Sequence, residues 1–230
     1  MKSVKTTFQA VKRLIFVFIS SIFLFACAFG FSGCNQEICL ADYVSEYRNN
    51  LFLHNENGIS IKAHSVQKEY PYIADGYKGD MSQRVEFFIT VPSGIETCGL
   101  RFTAGGKEYG GDASYDNVKQ QFYFSCAADL TGAGSLAVNL TLNDTESEFT
   151  LSSVATDVLT LEQVLECVFE QEKDLLKSLQ NKKEFLGELY IRLLYEDAPY
   201  FYVGVVDRNG KITAFLLDGK TGKVLAKRTV

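Results

Sequence analysis

Hydrophobic and polar residues alternate along most of the first two thirds of the chain. In "SLAVNLTLND", apolar residues occupy every second position from Leu136 to Leu142. Alternation with period two is typical of a β-strand that buries one face. Turn residues separate the alternating segments, among them Asn57–Gly58 and Gly105–Gly106, which suit the positive φ angles of tight hairpins. Between residues 49 and 156 the pattern predicts about seven or eight closely spaced strands.

The hydrophobic spacing changes near residue 157. In "TLEQVLECVFEQEKDLLKSLQ" apolar residues recur at helical intervals, which predicts a helix over residues 161–180. Thr160 and Gln163 have the spacing of a capping box at its start. Alternation then returns in "PYFYVGVV" and "KITAFLLD", which a turn at Asn209–Gly210 joins. This region therefore predicts a helix packed on a small antiparallel sheet.

Two modules follow from these patterns. We expect an all-β, immunoglobulin-like β-sandwich over residues 49–156, followed by an α+β module over residues 157–230. Residues 34–48 are expected to form a tether and a short N-terminal segment. Residues 1–33 are expected to be a signal peptide.

The first residues have the layout of a secretory signal, because a basic stretch precedes the uncharged residues 14–31. "FSGC", ending at Cys34, resembles the lipobox of bacterial lipoproteins, with small residues directly before a cysteine. The resemblance implies a diacylglyceryl group on the Cys34 thiol, cleavage before it, and attachment to the extracytoplasmic face of the cell membrane. Two alternatives stay open. Cleavage would instead occur at Cys27, in "LFAC", or the apolar run would remain as a spanning helix of ~20 residues.

Charge and cysteine content restrict the function. The chain has a formal net charge of −5, and removal of residues 1–33 takes away four basic residues and no acidic ones, so the mature chain carries −9. Nucleic acid is not an expected partner, because phosphate binding needs a basic surface. The cysteines after Cys34 have no metal-binding spacing, so no zinc or other cofactor is expected. A Cys98–Cys126 disulfide and free thiols are both open alternatives.

One segment resembles a known family. "YFYVGVVDRNGKITAFLLDGKTGKVLAK" is similar to the C-terminal half of a PepSY domain, with an aromatic strand, an Asn-Gly turn, a second strand and then Asp-x-x-x-Gly-Lys-Val-Leu. The resemblance covers about residues 157–230, and the predicted helix stands where the family's helix would. It implies a module that inhibits or regulates peptidases and has no catalytic residues. The whole arrangement is also similar to lipoproteins of Gram-positive, clostridia-like bacteria.

No set of residues in the sequence has the spacing of a catalytic site. We therefore expect a non-enzymatic, membrane-tethered lipoprotein of the cell envelope, with an envelope protein or peptidase as its partner. The alternative is a lipoprotein that binds cell wall or carbohydrate through the β-sandwich. Its candidate contacts are Tyr70, Tyr72 and Tyr77, because tyrosines in a glycine-containing loop are favoured at binding surfaces.

Overall fold

The computed structural model describes residues 38–69 and 76–229. Residues 38–230 form one compact unit. The expected signal peptide, Cys27 and Cys34 lie outside the described residues, as do Tyr70 and Tyr72. Within the described ranges, no helix is long and apolar enough to cross a membrane.

One sheet of 13 strands dominates the described chain. A short 3₁₀ helix, Leu40–Tyr43, precedes it, and two helices, α1 (Leu161–Gln171) and α2 (Lys173–Ser178), separate its ninth and tenth strands. The strands are β1 Val44–Glu56, β2 Ile59–Glu69, β3 Met81–Thr90, β4 Cys98–Ala104, β5 Lys107–Asp112, β6 Ser114–Asp116, β7 Gln121–Cys126, β8 Ser135–Leu142, β9 Thr145–Ser153, β10 Gly187–Tyr195, β11 Pro199–Asp207, β12 Ile212–Asp218 and β13 Val224–Thr229.

Strand β1 joins the parts of this sheet. Along one edge it pairs antiparallel with β2. Along the other edge it first pairs parallel with β10, over Val44–Arg48, and then antiparallel with β9, at Phe52 and Leu53. The main path runs β13-β12-β11-β10-β1-β2-β3-β7-β6, while β9, β8, β4 and β5 branch from β1. A single sheet therefore passes through both of the predicted modules.

The predicted fold class is wrong. Strands β10–β13 extend the large sheet through the parallel β1–β10 pair, instead of forming a small sheet of their own beneath a helix. Alternation identified the strands, but it reports which side chains share a face and not which strands are neighbours. The division at residue 157 stays a prediction.

Two apolar cores hold this sheet together. The first includes Phe52, Phe87 and Val138, from strands β1, β3 and β8. In the second, Val164 and other residues of α1 pack against β10–β12, including Ile191. Because β1 contributes to both cores, the two regions share a structural element.

Several local predictions are confirmed. The hairpin residues Asn57, Gly58, Gly105 and Gly106 all have positive φ angles. The capping box of α1 is present, with the Thr160 side chain accepting from the backbone of Gln163 and the Gln163 side chain accepting in return. The predicted helix is shorter than expected, because α1 ends at Gln171 and a break precedes α2.

Candidate functional site

The two faces of strands β1–β3 differ in chemistry. Successive side chains of a strand point to opposite faces. Val85 and Phe87 of β3 enter the first apolar core, so Glu86 between them lies on the opposite face. That face carries five charged side chains in contact, which we call the charged cluster: Glu46, Arg48, Lys68, Glu86 and Arg192.

Arg48 links the two carboxylates of the charged cluster. Its Nε donates to Glu46 Oε1 at 2.5 Å, and its Nη2 lies 3.4 Å from Glu86 Oε2. Arg192 donates two hydrogen bonds to Glu46, from Nε to Oε1 at 3.0 Å and from Nη2 to Oε2 at 2.7 Å. Lys68 Nζ pairs with Glu86 Oε1. Among the described residues, the cluster therefore joins three cations to two anions.

Burial is uneven within the charged cluster. The carboxylate side chains of Glu46 and Glu86 are only 4% and 3% exposed. The cationic side chains of Arg48, Lys68 and Arg192 are 19%, 21% and 32% exposed. The anions therefore form the floor of the cluster, and the cations form the side that is open to solvent.

Strand register brings the charged cluster together. Glu46 of β1 lies opposite Lys68 of β2 and beside Tyr190 of β10. Tyr190 can lie flat because its register partner on β11 is Gly204, where a Cβ atom would overlap the Tyr190 ring. The guanidinium carbon of Arg192 is 4.7 Å from the centre of that ring, a cation–π contact that supports its orientation.

Electrostatics keeps Glu46 ionised. Burial alone would raise the pKa of this carboxyl, but the hydrogen bond from Arg192 and the charges of Arg48 and Arg192 together lower it below its usual value. A carboxylate that accepts charge-assisted bonds from two guanidinium groups is held firmly as an anion. Glu46 therefore stays negatively charged across the physiological pH range.

His64 lies on the same face and is more than nine-tenths buried. It is the register partner of Glu86 and packs edge-on against Phe88, with ring centres 5.7 Å apart. Burial and then the charges of Arg48 and Lys62 lower the pKa of its imidazole to about 3, so the ring is neutral at physiological pH. Its Nδ1 is buried and has no hydrogen-bond partner among the residues described.

An aromatic groove adjoins the charged cluster. Its volume is about 330 Å³, and Phe88, Tyr115 and Tyr123 line it together with polar side chains that include Asp116. Tyr123 connects the two features, because its hydroxyl donates to Glu86 Oε1 at 3.5 Å. Flat rings beside hydrogen-bonding groups can hold a ligand that has both apolar and polar faces.

Of the three tyrosines predicted as ligand contacts, only Tyr77 lies within the described residues. Tyr77 is 55% exposed, and the guanidinium carbon of Arg208 lies 4.6 Å from its ring centre.

Cys98 and Cys126 are free thiols, and burial raises the pKa of Cys98 to about 11. In the described ranges, no group of three or more His, Cys, Asp or Glu residues is arranged to hold a metal ion.

Sequence reasoning missed the whole charged cluster. Glu46 and Arg48 fall in the segment assigned to the tether, and charges at alternate strand positions ordinarily predict a solvated face. A signal was present, because Lys68 and Glu86 are opposite charges on neighbouring predicted strands. The contribution of Arg192 had no local signal, since it depends on the parallel β1–β10 pair.

These features had no counterpart in the comparisons with known proteins. No family model matches the chain, and no curated protein or solved structure matches it either. The similarity of residues 157–230 to a PepSY domain therefore stays a prediction from the sequence.

Proposed function

We propose that this protein is a non-enzymatic, lipid-anchored binding protein of the cell envelope, and that it holds its ligand on the face of the sheet that carries the charged cluster. The observation that carries the proposal is the arrangement of that cluster, with two buried carboxylates beneath three cations that are open to solvent. The partner class that we favour is a component of the envelope, such as a protein or peptidase.

Stability alone is a poor explanation for such a cluster. Each buried charge loses its hydration, and this cost often cancels the attraction between the partners. Apolar side chains of similar volume would stabilise the sheet at least as well. Three adjacent strands and β10 nevertheless supply charged groups to one place. A binding role accounts for this concentration of charge where packing does not.

The lipid anchor rests on the lipobox-like "FSGC", and the position of Ile38 sets how far the folded unit would lie from it. Ile38 packs against the second apolar core, four residues after Cys34. Extended chain spans at most about 3.5 Å per residue, so the tether would hold the folded unit within about 14 Å of the lipid. Two acyl chains make such anchoring stable, at about 0.8 kcal/mol for each buried methylene.

The anchor is tested with Cys34→Ser in the full chain. We expect the protein to leave the membrane fraction or to accumulate unprocessed, while Cys27→Ser, the matched control, stays processed and membrane-bound. Fractionation and metabolic labelling with palmitate measure both properties. A Cys34→Ser chain that is still labelled and retained would refute anchoring at this cysteine.

The binding role is tested with an immobilised ectodomain of residues 35–230, which contains the compact unit. Detergent-solubilised envelope is passed over the wild type, Arg192→Met and Arg101→Met. Arg101 serves as the control because it forms an exposed pair with Glu146 away from the cluster. We expect saturable retention of an envelope component by the wild type and by Arg101→Met, and its loss in Arg192→Met. Equal retention by all three would contradict the proposed site.

Carbohydrate binding is the second candidate, and the aromatic groove favours it. Tyr115 is 43% exposed, and its ring centre is 4.9 Å from that of Phe122. Co-sedimentation with purified cell wall tests this role. It should be lost in Tyr115→Ala and kept in Val118→Ala, a control at an exposed position of the neighbouring turn. Co-sedimentation that Tyr115→Ala leaves intact would remove the groove from consideration.

A further inference from the structure

We infer that the open side of the charged cluster is a binding site for an oxyanion, that is, a carboxylate or phosphate group carried by the ligand. This inference deepens the proposed function and rests on it. It follows from the charge balance of the cluster, from the hydrogen-bond donors that its cations retain, and from the buried nitrogen of His64.

The charge balance favours an anion. Among the described residues, the cluster brings three cations against two carboxylates, and the formal charges of these five groups sum to +1. The chain as a whole has the opposite sign, with a formal net charge of −5. A local positive excess within an acidic protein attracts an anion to that place and not to the remaining surface. One oxyanion would complete the pairing that the two carboxylates begin.

The cations retain donors for such a group. A guanidinium has five N–H bonds in a planar fork, and Arg48 directs its Nε to Glu46 and its Nη2 towards Glu86. The Nη1 of Arg48 donates to no residue in the described part of the chain. Lys68 has three ammonium protons, and Glu86 is its one carboxylate partner among the described residues. Both groups pair with Glu86, so their remaining donors can converge on a single oxyanion.

His64 provides an independent observation. It lies on β2 four residues before Lys68, on the same face of the strand. A buried polar atom without a partner costs free energy and requires an explanation. The neutral ring has one N–H donor and one acceptor nitrogen. No described residue satisfies Nδ1, and the atom is covered, so a ligand hydroxyl or oxygen would reach it only if the side chains around His64 moved aside.

The experiment measures the thermal unfolding midpoint of the residue 35–230 ectodomain at pH 7 and constant ionic strength. Chloride is replaced stepwise by inorganic phosphate in one series and by acetate in another. A ligand that binds only the folded state raises the midpoint in a saturable way. We expect such a rise in at least one series, and the series that gives it identifies phosphate or carboxylate as the preferred group.

Two variants make the test specific. Lys68→Gln removes one cation but leaves Glu86 with Arg48, and we expect it to weaken the anion's apparent affinity at least tenfold. Lys62→Gln is the matched control, because Lys62 is an exposed lysine on the same face of the same strand. We expect it to change the affinity less than twofold. His64→Leu is expected to weaken binding as well, while the variant remains cooperatively folded.

The outcomes separate this inference from the proposed function. If neither anion shifts the midpoint, or if Lys68→Gln leaves the shift unchanged, the oxyanion site is refuted. In that case, envelope capture that depends on Arg192 would still stand and would support a ligand of different chemistry. If anion binding is present but capture does not depend on Arg192, the oxyanion site holds and the envelope ligand lies elsewhere.

Discussion

The two faces of strands β1–β3 each contain buried side chains, but the faces differ in polarity. Ile61, Ala63 and Phe87 on one face are fully buried in an apolar core. Glu46 and Glu86 on the other face are each only 3% exposed. The apolar face is stabilised by the area that it removes from water, which is shared among many contacts. The charged face is stabilised only while every ion keeps its partner, so single substitutions there should have disproportionate effects.

Removing Arg48 should break the charged face most strongly. Arg48→Met keeps the apolar stem but leaves Glu86 with Lys68 and Glu46 with Arg192, so both carboxylates lose a partner. We expect a loss of about 2–3 kcal/mol in the free energy of unfolding, because each carboxylate loses one charged partner while it keeps another. Urea denaturation at pH 7 measures it. Arg101→Met breaks the exposed pair with Glu146, at 2.6 Å, and should cost less than about 1 kcal/mol. Equal losses would mean that burial does not distinguish the two pairs.

His64 should make the charged face sensitive to acid. Its pKa is about 3 in the folded state and 6.5 for an ordinary imidazole, so the unfolded chain binds more protons between these limits. Stability should therefore fall as the pH drops below 6.5, by about 2–3 kcal/mol at pH 4.5. The lowered pKa of Glu46 adds a further loss only below the ordinary glutamate pKa of 4.5.

His64→Leu isolates the contribution of the imidazole. Denaturation curves from pH 7 to 4.5 should be flatter for this variant than for the wild type, because leucine does not titrate. His54→Leu is the control, since His54 is not among the buried residues of the sheet. A His64→Leu protein with an unchanged pH profile would show that the imidazole is not held neutral by its surroundings.

A smaller effect is expected at Gly204, which positions Tyr190 beneath Arg192. A methyl group at residue 204 would overlap the Tyr190 ring, so Gly204→Ala should cost about 2 kcal/mol, as overpacking does in other cores. Adding Tyr190→Ala should remove the overlap, so that the double variant loses less than the sum of the two single variants. Strict additivity would mean that the ring does not depend on Gly204 for its place.

Local features of the fold could be predicted from the sequence, and long-range pairing could not. The Asn57–Gly58 turn and the Thr160 capping box each depend on a few neighbouring residues, and both are present. The parallel β1–β10 pair joins segments that are far apart in the sequence, and neither segment contains a local pattern that identifies the other as its pairing partner. That pair both extends the sheet and brings Arg192 to Glu46. Because the pair could not be predicted, neither the single large sheet nor the charged cluster could be predicted.

The parallel pair between β1 and β10 also determines how late in folding the sheet can be completed. The Ser45 hydroxyl donates to the carbonyl of Leu189, 144 residues further along the chain. A chain that emerges N-terminal end first can close the β1–β2 hairpin early, because a two-residue turn joins those strands. The Val44–Arg48 part of the other β1 edge stays unpaired until β10, Gly187–Tyr195, is available, and such distant contacts form slowly. The charged cluster is therefore completed late, because a chain interrupted before residue 187 would lack Arg192 and its two bonds to Glu46.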